Sequence, residues 1–136
     1  MIKLIVGNKG SGKTKALIGM VNEAVETSKG NVVCVEKGNT LTFDVSHRAR
    51  LVDVDSYGVK GFDAFFGFFC GLFAGNYDIT EVFVDGSFKV GGKDFMAFAL
   101  MIEKLVPITQ ENGATMTFTV SCDKSDLPER IHQYII

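Results

Sequence analysis

The segment IKLIVGNKGSGKT, residues 2–14, decides how the rest of the chain is read. Ile2 to Val6 is a short, largely β-branched apolar run, the composition of a buried strand. Gly7, Gly10 and Gly12 follow it, and glycine lets a chain turn through left-handed φ without a Cβ penalty. From Lys13 onward the apolar residues recur at helical spacing, predicting a helix over 13–28. A strand that passes through such a loop into a helix gathers backbone N–H groups at the helix's positive end, where phosphate oxygens are well held. Gly7, Asn8, Lys9, Gly10, Ser11, Gly12, Lys13, Thr14 and Lys15 are therefore the candidate phosphate-binding residues. In the pattern G-x-x-x-x-G-K-[ST], Lys13 would reach the outer phosphates and so act in catalysis as well as binding. The Thr14 hydroxyl would give one oxygen to Mg²⁺.

Outward from that segment the chain alternates short apolar runs with longer helical stretches. Strands are expected at about 2–6, 31–36, 50–54, 81–85 and 114–120, and helices at about 13–28, 61–74, 92–106 and 127–135. This alternation predicts an α/β layer fold with a mostly parallel sheet, whose ligands sit beyond the carboxyl ends of the strands. Residues 1–136 make one domain, with room for a single layered core. In SDLPERI, Asp126 is expected to cap the last helix, with Pro128 in its first turn and Glu129 at capping-box spacing.

Composition narrows the function further. With 46% hydrophobic and 22% charged residues the chain reads as a soluble globular protein, and no apolar run is long enough to cross a bilayer. A cytoplasmic location is expected, because no leader segment is visible and Cys34, Cys70 and Cys122 are odd in number and widely spaced. The net charge of −2, with only Arg48, Arg50 and Arg130 as arginines, gives no footprint for general nucleic-acid binding. His47 and His132 stand at no metal-ligand spacing to each other or to a cysteine, so they read as ordinary surface or half-buried histidines.

GNKGSGKT resembles the Walker A motif of the P-loop NTPases, and EVFVDG, residues 81–86, resembles a Walker B strand ending in Asp85. The whole chain is also similar to a group of small bacterial proteins described as ATP-binding. The resemblance implies a three-layer P-loop NTPase fold of the recombinase-like branch, with ATP and Mg²⁺ bound and Asp85 completing the metal side that Thr14 begins. Many P-loop ATPases place a water-activating glutamate after this aspartate, where this chain has Gly86. In recombinase-like members a glutamate ends the strand after the P-loop helix, and NVVCVE resembles that arrangement, making Glu36 the candidate catalytic carboxylate. Ser121 falls where a polar sensor often ends the strand after Walker B. None of the three arginines is singled out as a finger.

Three competing readings stay open. Asp123-Lys124-Ser125-Asp126 is one residue from the guanine motif of GTPases, but Asp123 stands in place of its asparagine, and ATP is favoured. A small-molecule kinase would need an arginine-bearing lid that the chain lacks. The third reading is a non-hydrolysing, nucleotide-dependent switch or subunit. In GFDAFFGFFCGLFAGN, Phe62, Phe65, Phe66, Phe69 and Phe73 share a helical face with Phe68 to its side; most of this stripe is expected to be core, and the remainder makes the helix near 61–74 a candidate surface for a second copy or a protein partner.

Overall fold

In the computed structural model, which describes residues 1–136, strands form at Ile2–Gly7 (β1), Asn31–Glu36 (β2), Arg50–Asp53 (β3), Ile79–Val84 (β4) and Thr115–Ser121 (β5). Helices occupy Lys13–Thr27 (α1), Phe62–Gly75 (α2), Ser87–Gly91 (α3) and Phe95–Asn112 (α4). The strands pair in the order β1-β5-β4-β2-β3, and every pairing is parallel. All five carboxyl ends therefore lie along one edge of the sheet.

Strand order and handedness together decide which helix covers which face. Right-handed crossovers that advance across the sheet in opposite directions must lie on opposite faces. The β1-to-β2 crossover carries α1, and the β2-to-β3 connection advances the same way. Accordingly Leu17, Val21, Ala24 and Val25 of α1 pack with Leu41, Val45 and Ala49 of that connection against Val32, Cys34 and Phe83. The return crossovers carry α2 and α4, which pack on the other face over Ile2, Leu4, Val33, Val35, Val82, Val84, Met116 and Phe118. The result is three layers, helix on sheet on helix, and each strand sends alternate residues to the two cores.

Most expected elements occur within a few residues of their predicted limits, and the departures have physical causes. The helix expected over 92–106 begins at Phe95, where the Asp94 carboxylate caps the Ala97 N–H at 3.0 Å, and runs on to Asn112 through Pro107. An internal proline costs a helix about 3 kcal/mol. Here Leu105 and Thr109 are buried on either side of it, so packing holds the helix past the break. Five residues, Ser87–Gly91, form an extra short helix that carried no sequence signal of its own.

The helix expected over 127–135 is absent. Its place is taken by two 3₁₀ turns, Lys124–Asp126 and Glu129–Tyr134. Asp126 does not cap forward; its carboxylate accepts the Asp123 N–H at 3.1 Å, and Pro128 is extended. The cause lies in the last residues, which run beside β1. Leu4 forms a parallel bridge with Ile135, and the Ile136 N–H donates to the Leu4 carbonyl at 3.0 Å. A 3₁₀ turn rises about 2.0 Å per residue against about 1.5 Å in an α-helix, so the same residues reach further toward that pairing.

The phenylalanine-rich α2 spends most of its aromatic surface inside the protein. Phe62, Phe65, Phe69 and Phe73 are buried, while Phe66, Phe68 and Leu72 pack on the rim of the core. The Phe69 ring lies 4.4 Å from Phe65 and meets Phe118 edge-on at 5.8 Å. The Lys104 ammonium from α4 sits 4.1 Å from the Phe66 ring centroid, a cation–π contact that screens this ring. Phe69→Ala is expected to destabilise the fold by about 3–5 kcal/mol in urea titration. Phe43→Ser, at a side chain that is 99% exposed, is expected to change stability by no more than about 0.5 kcal/mol.

Candidate functional site

The glycine loop sits at the carboxyl edge of the sheet and is shaped by its backbone. Gly10 and Gly12 adopt φ of +86° and +88°, and a Cβ on Gly7 would come 2.5 Å from the Ser11 hydroxyl. No side chain caps α1 at Gly12, so the first-turn N–H groups face outward without an intramolecular acceptor. The Asn8 amide donates to the Asp123 carboxylate at 2.9 Å, tying the loop to the turn after β5.

Lys13 lies back under this loop. Its ammonium donates to the Asn8 carbonyl at 3.0 Å and lies 3.4 Å from the Ser11 hydroxyl. The residue is only 8% exposed and has no carboxylate partner; the protein's ion pairs are Arg48–Glu26 and Arg130–Glu103. A buried cation held by neutral oxygens is costly to keep and is strongly stabilised by an arriving anion.

Asp85, one residue beyond β4, gathers the other groups. Its carboxylate accepts the Thr14 hydroxyl at 3.1 and 3.3 Å and the Thr119 hydroxyl at 2.8 Å. The Thr119 hydroxyl in turn accepts the Gly86 N–H at 2.8 Å, and the Ser87 hydroxyl donates to the Thr119 carbonyl at 2.9 Å. β5 lies between β1 and β4, and its Thr119 holds Asp85 and the Gly86 N–H, while Thr14 meets Asp85 directly. Sequence reading passed over Thr119. Its only signal is the alternation of TMTFTVS, which sends Thr115, Thr117 and Thr119 to the α1 face.

These groups surround a cleft of about 510 Å³ lined by Lys9, Gly10, Gly12, Lys13, Thr14, Lys15, Asp85, Gly86, Phe88, Lys89, Thr119 and Ser121. Four of its side chains are lysines, against one carboxylate and one apolar residue, Phe88. The donor set suits Mg²⁺, which takes hard oxygens and keeps most of its shell for phosphate and water. Thr14 Oγ1 and the Asp85 carboxylate are the protein oxygens that would hold it. No cluster of three or more His, Cys, Asp or Glu side chains offers a metal cage elsewhere.

The structure does not bring every candidate residue to this cleft. Glu36 ends β2 on the far side of β4 and is not among the lining residues. It is 2% exposed, and its carboxylate accepts the Thr40 N–H at 3.2 Å, the Thr40 hydroxyl at 2.8 Å and the Leu41 N–H at 3.0 Å. The side chain thus closes the turn after β2. Arg48 pairs with Glu26 at 2.7 Å and Arg130 with Glu103 at 2.6 Å, while Arg50 begins β3 at the opposite edge of the sheet. Ser121 does line the cleft, and Lys89, which sequence reading did not single out, lines it too.

No protein-family model matches the chain, and no curated protein is significantly similar to it. No helix is long and apolar enough to cross a membrane.

Burial makes the thiols below the sheet a chemical probe of this packing. Cys34 is pushed up from 9.0 to about 12, first by burial and then by the negative charges of Glu36 and Asp85. Cys122 is raised to about 11, again chiefly by burial. Raised folded values mean that both thiols keep their protons through neutral pH, and that the stability they contribute is lost only as pH climbs from 9 toward those values. Thiol-reagent titration at pH 8 is expected to label half-exposed Cys70 rapidly, and Cys34 and Cys122 only after unfolding.

Proposed function

We propose that the chain binds ATP as its Mg²⁺ complex in the cleft between the glycine loop and Asp85, as a member of the P-loop NTPase superfamily. The observation that carries this reading is the buried Lys13 ammonium, without a counter-ion, beside uncapped helix N–H groups and a Thr14–Asp85 hydroxyl–carboxylate pair. Each has a task on a bound triphosphate. The N–H groups and Lys13 would hold the phosphate oxygens, and Thr14 with Asp85 would hold the metal that offsets their charge. Two independent elements, a helix start and a strand end, thus converge on one ligand chemistry.

Adenine is favoured over guanine by the state of the turn after β5. Asp123 is an acceptor-only carboxylate where the guanine motif has an asparagine, and it accepts the Asn8 amide at 2.9 Å, while Asp126 accepts the Asp123 N–H. For hydrolysis the position of Glu36 weighs the other way. Its carboxylate would have to give up three hydrogen bonds to orient a water, and Asp85, the one carboxylate in the cleft, is committed to the metal side. The geometry therefore favours a nucleotide-binding switch or subunit over a fast ATPase. In the switch reading α2 offers a partner little beyond the rim formed by Phe66, Phe68 and Leu72.

Two experiments test these points. Mg²⁺–ATP at about 100 times its Kd is expected to stabilise the protein by about 2.7 kcal/mol, seen as a rise of several degrees in melting temperature. GTP is expected to do less, and Lys13→Ala to remove the shift; a mutant that shifts as much as the native chain would sink the reading. Glu36→Gln is expected to lower stability by about 1–3 kcal/mol, because its amide turns a donor toward donors. It should leave steady-state phosphate release unaltered, and a large loss of turnover at unchanged ATP affinity would instead make Glu36 catalytic.

A further inference from the structure

Gly86 and Lys89 explain each other. Gly86 follows Asp85 with φ +68° and ψ +51°, the left-handed region, and its N–H is held by Thr119. The stem of Lys89 lies over it: a Cβ on Gly86 would meet Lys89 Cδ at 3.0 Å, Cγ at 3.5 Å and Cε at 3.6 Å. A glutamate at 86 would be strained in its backbone, and its Cβ would have to push the Lys89 stem aside. Beside Asp85 this turn brings a lysine to the cleft and no second carboxylate.

The turn that carries Lys89 is firmly held, and the side chain itself is exposed. The Lys89 N–H donates to the Gly86 carbonyl at 2.9 Å, and Ser87 is bonded to Thr119. The neighbouring Phe88 ring packs edge-on against Phe62, Phe95 and Phe98. The α3 turn is thereby anchored on both sides, and the Lys89 ammonium makes no ion pair within the protein. It joins Lys9, Lys13 and Lys15 around a cleft whose single carboxylate already accepts two hydroxyls. Like charges gathered around one cleft repel one another until an anion enters. No arginine lines the cleft.

We infer that Lys89 is a second phosphate-binding lysine, which meets the terminal phosphate of Mg²⁺–ATP from the Asp85 side while Lys13 holds it from the loop side. This rests on the nucleotide-binding reading above and adds a specificity to it. The helix N–H groups and Lys13 grip the phosphate chain as a whole, whereas Lys89 acts on the phosphate that distinguishes ATP from ADP. The site then reports nucleotide state with a cation supplied by the same chain.

Titration calorimetry of Mg²⁺–ATP and Mg²⁺–ADP on the native chain, Lys89→Gln, Lys89→Arg and Lys13→Ala tests this. Lys89→Gln is expected to weaken ATP about tenfold, the loss of one charge-assisted contact, and to leave ADP unchanged. Lys89→Arg is expected to keep most of the preference, and the melting temperature without nucleotide should not fall in either Lys89 variant. Equal losses for ATP and ADP would mean a general field effect and would overturn the inference, as would no loss for either. Those outcomes leave the nucleotide reading standing as long as the native chain binds and Lys13→Ala does not. Absence of binding by the native chain would remove both.

Discussion

The placement of β5 between β1 and β4 is the constraint on which the remaining architecture depends. Thr14 meets Asp85 directly at 3.1 Å, across the strand that lies between β1 and β4. With β5 interposed, Thr119 meets Asp85 at 2.8 Å and the Gly86 N–H at 2.8 Å. A single hydroxyl therefore ties Asp85 to the start of α3. The same insertion forces the β4-to-β5 crossover to run back across the sheet, which puts α4 on the face opposite α1. Strand order thus sets both the layers and the wiring of the cleft.

The electrostatics of the cleft follow from how few acids reach it. Among the acidic residues near the carboxyl edge, Asp53 is pulled below the usual carboxylate range chiefly by the Gly38 N–H, which it accepts at 2.8 Å. Glu36 is spent on the Thr40–Leu41 turn, and Asp123 and Asp126 on Asn8 and their own turn. These carboxylates shape loops. What remains facing the cleft is one carboxylate among four lysines, a distribution suited to holding a polyanion and poorly suited to activating water.

Much of this was legible in the chain before any coordinates. The glycine loop is a local signal, since residues 7–14 contain both the turn-makers and the lysine and threonine that line the cleft, and Asp85 could be read as the end of an apolar run. Thr119 and Lys89 could not. A threonine in an alternating strand looks like any half-buried strand residue until its neighbours are known. A lysine four residues past a strand looks like a solvated side chain until the turn at Gly86 is seen to fold it back. Glu36 shows the converse, because a strand-end glutamate fits a catalytic pattern locally while Thr40 and Leu41 decide where its oxygens point.

By itself, then, the sequence determined the α/β layering, the limits of most strands and helices, and the loop and aspartate of the candidate site. Those properties are written in short-range periodicity and in residues whose backbone preferences are intrinsic. Strand order, the contact of Thr119 with Asp85, the diversion of Glu36 and the loss of the final helix beside the Leu4–Ile135 pairing were decided only by the tertiary structure. Each depends on contacts between residues far apart in the chain, where packing and hydrogen-bond satisfaction outweigh local preference.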